Sequence, residues 1–471
     1  PRKERQLVEK RRFALVVGLT LGVLTMLLSD YTGIHTNGVV HDVLDVYVKQ
    51  SHEIMEQSKQ MLLESSAELF QLQRLLDFTP TNTTELYDNL ERPGIKLHAD
   101  GLRPKHPVVM VPGIVTTGLE LWQGEECAKK YFRQRMWGTM TMVQNMLLNT
   151  RCWLRHMALN ATSGLDPEGI KLRSAQGFEA ADFVLGGYWV WSKLIENLAD
   201  VGYDPASMHM AAYDWRLSFA KLQERDRYFS RLSKTIEALV KMNGEKAVIV
   251  SHSMGGNLIL YFMQWVKEHR HDPGWVDAHI HSFVSIASPF LGTPKAISAL
   301  LSGEAKDTAE MGLLGSLLDH HITPFDRRKL FRSWGSSLAM IPRGGDLLWG
   351  GRGGRSAPDF ADKNMSMVAA HVLHFSDGGK MTTDESIEYL LKRTVGNASD
   401  DGNLIRYDQE WSHGVRLRPF KEGEPTHSKS WANPLESQLP KAPNMKIYCL
   451  YGYSKESERG YFYSNVSEVG A

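Results

Sequence analysis

From residue 107 onward the chain alternates short apolar runs with longer stretches in which apolar positions recur every three or four residues. PVVMVPG (107–113), MHMAAYDW (208–215), KAVIVSHS (246–253), HSFVSIASP (281–289) and MKIYCLYG (445–452) read as strands, and their nearly continuous apolar character is that of strands buried on both faces. VWSKLIENLADV, RDRYFSRLSKTIEALVKM and NLILYFMQWVKEH, which fall between them, carry the helical period. Strands alternating with helices predict an α/β fold with a mostly parallel sheet covered on both faces. Residues 343–366 and 415–443 read as long irregular insertions. The glycine cluster in the first lacks the G-x-x-x-x-G-K-[ST] spacing, so it predicts a loop rather than a phosphate cradle.

The pattern upstream is different. Residues 13–29 are apolar or small without an ionisable side chain, and Arg2, Lys3, Arg5, Lys10, Arg11 and Arg12 precede them. A helix of that length rises about 25 Å, enough for one span if Asp30 and Tyr31 sit at the interface, with the basic end cytoplasmic. The competing reading is a cleaved signal peptide; the run exceeds the usual apolar segment and no Ala-x-Ala site follows, which favours the anchor. Residues 42–79 contain no Gly or Pro and repeat apolar residues at helical spacing, as one long amphipathic helix or two. That segment serves as a stalk, a membrane-surface helix or a packed extension.

Composition narrows the function classes. Lys+Arg and Asp+Glu are each 54, which speaks against a nucleic-acid partner, and 42% hydrophobic with 23% charged residues excludes a mostly disordered chain. Asn-x-Ser/Thr acceptors at Asn82, Asn160, Asn364, Asn397 and Asn465 fit a lumenal body. Cys127 and Cys152 have the separation to close a loop in an oxidising lumen, while Cys449, inside an apolar run, is expected to be a buried thiol. No CxxC or HExxH spacing occurs, so a metal site is not expected. No cofactor is expected either.

The sharpest chemical signal is AVIVSHSMGG followed by the helix NLILYFMQWVKEH. It resembles the turn that carries a serine hydroxyl above the end of a strand, with small residues two before and two after it. Ser253 is the expected nucleophile; Ser251 stands where that motif usually opens with Gly. A serine that merely caps the helix would explain Ser-x-Gly but not the apolar strand before it. Acyl chemistry also needs donors for an oxyanion. The N–H of Met254 is the natural first and that of Ile114, after the early strand ending in VPGI, the second. His252 is a poor base, since in a sharp turn its side chain points away from its neighbour's.

These residues, with HPVVMVPGIVTTGLELW, YDWRLSF, SFVSIASPFLGTPKA, MIPRGGDLLWGG and WANPLESQLPKAPNMKIYCLYG, resemble the phospholipid:diacylglycerol acyltransferases, relatives of lecithin:cholesterol acyltransferase and lysosomal phospholipase A2. The resemblance implies an α/β-hydrolase fold at the endoplasmic reticulum membrane, single-pass with a lumenal catalytic domain, moving an acyl chain from phospholipid to diacylglycerol. It implies a disulfide between Cys127 and Cys152 closing a lid, an acyl-chain contact for Trp137, and a structural pair of Asp214 and Arg216. The expected organisation is a basic tail at 1–12, a transmembrane helix at 13–30, a helical stalk at 31–100 and the acyltransferase domain at 101–471, with the lid at about 122–158. The lid's apolar Phe132, Met136, Trp137, Met140, Met142, Met146, Leu147 and Leu148 among Lys129, Lys130, Arg133 and Arg135 suit a lipid interface, the bland alternative being a buried helix pair.

The triad Asp and His that the resemblance expects after the last strand have no matching motif in the chain, which reads as truncated. Asp401 or Asp408 with His413 or His427 precede that strand and are poor substitutes. Phospholipid, diacylglycerol and a bilayer are the expected partners. The alternatives are a phospholipase A or sterol O-acyltransferase of the same family, or an inactive lipid-binding fragment.

Overall fold

All five predicted strands fall in one sheet, and the apolar side chains of its inner strand Val108–Val111 are buried on both faces. The five are β1 (Val108–Val111), β2 (Met208–Met210), β3 (Ala247–His252), β4 (Ile280–Ile286) and β5 (Lys446–Leu450). A computed structural model of the chain describes residues 92–464 except 186–187, 271, 306–320, 352–370, 396–406, 422–423, 425 and 454–456. The expected tail, transmembrane helix and most of the stalk lie outside the described residues, as do Asp401 and four of the five Asn-x-Ser/Thr acceptors. Among the described residues no helix is long and apolar enough to cross a membrane.

The strand order is β5-β4-β3-β1-β2, with every neighbouring pair parallel. The register pairs Val111 with Ser251 and Ser251 with Ser285, so β1, β3 and β4 finish nearly level. In an open parallel sheet, the carboxyl ends of the strands are where a site is built.

Successive side chains of a strand point to opposite faces, and the core divides accordingly. Val109 and Val111 join Ile249 and Phe283 in the larger cluster, whereas Val108 and Met110 join Met208, Met210 and Trp191 in a smaller one. The smaller cluster packs Leu194, Ile195 and Leu198 of α1 (Ser192–Val201). On the larger face lie α2 (Phe219–Asp226), α3 (Tyr228–Asn243) and α4 (Met254–His269). Every residue of α4 from Met254 to Val266 is buried; most are apolar, and the Asn257 amide donates to Pro289 O at 3.1 Å. The pattern over 225–242 reads as one helix, but the chain breaks at Arg227, whose left-handed φ of 52° ends α2 before α3 starts.

Several small elements are not evident from the pattern. Leu119–Gln123, Arg135–Trp137 and Lys171–Ser174 form an antiparallel sheet beside the helices Met140–Leu148 and Thr150–Met157. Leu373–Phe375, Lys380–Met381 and Tyr461–Tyr463 form a second small sheet, in which the first strand pairs antiparallel with Lys380–Met381 and parallel with Tyr461–Tyr463. One expectation is corrected: Cys449 is exposed. β5 pairs on one edge with β4, yet all five of its residues are exposed, so an apolar run here does not mean burial.

Candidate active site

β3 runs into α4 through one residue, Ser253, at φ 54° and ψ −130°. A non-glycine residue in that region carries strain of order 1–3 kcal/mol, and such strain persists only where the surroundings hold it. The Ser253 N–H donates to the Ile286 carbonyl at 2.9 Å, and its own carbonyl accepts from the Gly256 N–H at 3.0 Å. Three glycines make the turn possible by close approach. A Cβ on Gly255 would lie 2.5 Å from the Pro112 oxygen, one on Gly256 2.1 Å from the Ser288 hydroxyl, and one on Gly113 2.9 Å from the Ser253 Cβ. Gly113 and Ser253 are therefore brought face to face. Ser251 is fully buried and its hydroxyl has no partner among the described residues, so a serine is accommodated where the motif has glycine.

The loop after β1 is held by its carbonyls. Tyr213 donates its hydroxyl to Pro112 O at 3.0 Å, Thr116 to Gly113 O at 3.0 Å, the Trp137 indole to Val115 O at 2.7 Å and the Trp215 indole to Thr117 O at 2.9 Å. Burial, with the neighbouring Tyr228, pushes the Tyr213 phenol well above its ordinary value, so it stays a donor. Val115, a β-branched residue, holds a left-handed φ of 58° within this loop.

Asp214 and Arg216 pair directly, at 2.9 and 2.7 Å, with both side chains fully buried. Arg225 reaches the same carboxylate at 2.8 Å, and both guanidiniums reach Asp166, at 3.3 and 3.1 Å. Burial alone would raise the Asp214 carboxyl; Arg216 and Arg225 outweigh it and hold the group well below the usual carboxylate range. Arg216 also donates to the carbonyls of His156 and Met157, tying the network to the end of Thr150–Met157. Arg225 and Asp166 had no sequence signal, being ordinary charged residues until the fold buries them.

Cys127 and Cys152 form a disulfide, their Cα atoms 6.3 Å apart. The loop it closes mixes both expectations for this segment: Met136 and Met142 are buried, whereas Phe132 and Leu148 are 58% and 67% exposed. Exposed Trp122 meets Phe132 edge-on at 6.3 Å, and Arg133 lies over the Trp122 ring. Trp137 is half-buried in a cluster with Trp153, Trp215 and Trp334, their ring centroids 6.2, 5.1 and 6.4 Å from its own.

Among the described residues no histidine is hydrogen-bonded to Ser253. Among the described residues the Ser253 hydroxyl makes no hydrogen bond. The His252 ring meets Trp191 edge-on, and its Nδ1 lies 3.4 Å from a Cβ built on Gly113; burial lowers its pKa. His427 spends its Nδ1 accepting the Lys429 N–H at the start of a short helix. The sulfurs of Cys127 and Cys152 lie near the His156 ring, but they are bonded to one another, and His156 Nε2 accepts from the Glu125 N–H at 3.1 Å.

Residues 131–470 match the family model described as lecithin:cholesterol acyltransferase, a span that includes Trp137, Asp214, Ser253 and Met254. The chain belongs to that family. The lecithin:cholesterol acyltransferase family thus supplies the frame in which the mostly parallel sheet and the elbow are read. Among its relatives, the phospholipid:diacylglycerol acyltransferase of Schizosaccharomyces pombe is 42% identical over 382 residues, covering 80% of this chain and 60% of that protein. The enzyme of the same name from Saccharomyces cerevisiae is 34% identical over 486 residues, covering 98% and 72%. A putative phospholipid:diacylglycerol acyltransferase 2 of Arabidopsis thaliana is 35% identical over 466 residues, covering 81% and 69%. The chain thus spans about 60% to 72% of the length of these relatives.

Proposed function

We propose that the protein is an O-acyltransferase that moves an acyl chain from a phospholipid to diacylglycerol through a Ser253 acyl-enzyme. The Ser253 oxygen adds to the ester carbonyl as a base takes its proton. The tetrahedral oxyanion is held by the N–H groups of Met254 and Ile114, and collapse expels lysophospholipid with the proton returned to its oxygen. The diacylglycerol hydroxyl then attacks the acyl-enzyme, giving triacylglycerol and restoring Ser253. The observation that supports this reading is the strained Ser253 at the mouth of α4, with Gly113 of the loop after β1 packed against it. The names of the relatives support the donor and acceptor.

The disulfide-closed segment at about 122–158 is the lid over this site, and its exposed Trp122, Phe132 and Leu148 are suited to lipid. The basic tail at 1–12 and the apolar run at 13–30 support a single-pass anchor in the endoplasmic reticulum membrane, with residues 101–471 as a lumenal α/β-hydrolase domain. A glycosidase-sensitive mass shift lost in Asn160→Gln is the check on that orientation; Asn160 is exposed.

The test of the activity is transfer in vitro. Full-length protein with labelled phospholipid and diacylglycerol yields labelled triacylglycerol, and Ser253→Ala yields none. Free fatty acid as the sole labelled product would make the protein a phospholipase, and preference for a competing sterol would make it a sterol acyltransferase.

A further inference from the structure

We infer that Trp137 and Thr116 are positioning residues that aim the Ile114 N–H at the reacting carbonyl. The inference rests on the proposed role of Ile114 as an oxyanion donor. A trans peptide holds its C=O and N–H on opposite sides of one plane. The Gly113 carbonyl and the Ile114 N–H share such a plane. Whatever fixes the Gly113 oxygen therefore fixes the direction of the Ile114 N–H.

The Thr116 hydroxyl fixes it, donating to Gly113 O at 3.0 Å from a buried side chain. Thr116 itself stands one residue beyond Val115, a β-branched residue in the left-handed region that the backbone would leave if free. The Val115 carbonyl is in turn held by the Trp137 indole N–H at 2.7 Å. The indole is immobilised by Trp215 at 5.1 Å and Trp153 at 6.2 Å, and its own backbone is paired with Leu119. The contacts form a series: indole to Val115, Val115 to Thr116, Thr116 to Gly113, Gly113 to Ile114. Trp137 lies between Cys127 and Cys152, so the disulfide-closed segment is connected to the oxyanion loop by this hydrogen bond. The connection is separate from any contact of the indole with an acyl chain.

Trp137→Phe keeps an aromatic ring in the cluster and removes only the N–H. Thr116→Val keeps the shape and removes the hydroxyl, and Thr116→Ser returns it. With full-length protein in the transfer assay, each loss is expected to lower kcat by about 10- to 100-fold, less than or equal to deletion of an oxyanion donor, with KM for phospholipid within about twofold. Because the two act in series, the double variant should be no worse than about the weaker single. Thr116→Ser should recover kcat to within about threefold of wild type. Wild-type kcat in both Trp137→Phe and Thr116→Val, a loss residing wholly in KM, or fully multiplicative losses would each overturn the inference. Ser253→Ala separates this from the underlying reading: if that variant retains transfer, the site itself is misassigned, whereas an inactive Ser253→Ala beside fully active Trp137→Phe and Thr116→Val refutes only the positioning role.

Discussion

Gly255→Ala isolates the closeness of α4 to β1. An added methyl would lie 2.5 Å from Pro112 O and 2.6 Å from Val111 O, both backbone atoms, and would have to part from them by about 0.9 Å to reach an ordinary 3.4 Å contact. Helix propensity alone predicts the opposite sign, a gain of up to about 1 kcal/mol from replacing glycine in a helix. Overpacking costs about 1–3 kcal/mol, so net destabilisation is expected. The effect on rate should be larger. Parting α4 from β1 separates the Met254 N–H from the Ile114 N–H, and a displacement near 1 Å at a reacting centre costs on the order of 100-fold. Phospholipid-to-diacylglycerol transfer by the full-length variant, with the rate of fluorophosphonate labelling at Ser253, measures this directly. Activity within twofold of wild type together with a raised unfolding temperature would refute the argument, because the methyl would then have found room that the geometry denies it.

Three further outcomes follow from other contacts. Asp214→Asn leaves Arg216 and Arg225 without their shared carboxylate and should destabilise the fold by about 3–5 kcal/mol in urea unfolding. Because the folded carboxyl titrates below its unfolded value of about 3.9, that stabilisation is fully present above the unfolded value and is lost as pH falls below it; the gap between wild type and variant should be flat from about pH 8 to 5 and narrow in more acid solution. Replacing both Cys127 and Cys152 by Ser, which opens a loop of sequence separation 25, should cost about 3 kcal/mol and abolish the sensitivity of thermal unfolding to reductant; a wild-type protein indifferent to reductant would contradict this. Trp122→Ser with Phe132→Ser should lower turnover on phospholipid vesicles several-fold while leaving a soluble short-chain ester unaffected, and equal losses on both would remove the lipid-contact role of these exposed rings.

The sheet was legible because its signal is local: five short apolar runs, recognisable without knowledge of their partners. The Ser253 turn was legible for the same reason, since strand, serine and glycines are contiguous. The break at Arg227 was not, because a left-handed arginine has no side-chain signature comparable to glycine. Cys449 was misplaced because an apolar run reports what a strand can tolerate, whereas burial depends on what packs over it. The four donors to the loop after β1 come from Thr116, Trp137, Tyr213 and Trp215, between 3 and 101 positions from the carbonyls they hold. Such pairings exist only once the chain is folded, and a tryptophan in sequence does not announce whether its ring or its N–H is the working part.

The proposed oxyanion donors are peptide N–H groups, and this determines where substitutions should be felt. Ile114 and Met254 would contribute nothing to the chemistry through their side chains, so many residues should serve at either position provided the fold accepts them. Gly113, Gly255 and Gly256 have no side chain at all, yet each meets an atom within 3 Å of where one would begin. A saturation scan of this region should therefore show its sharpest intolerance, Ser253 apart, one or two positions away from the N–H groups that act, with the silent glycines intolerant and Ile114 and Met254 permissive.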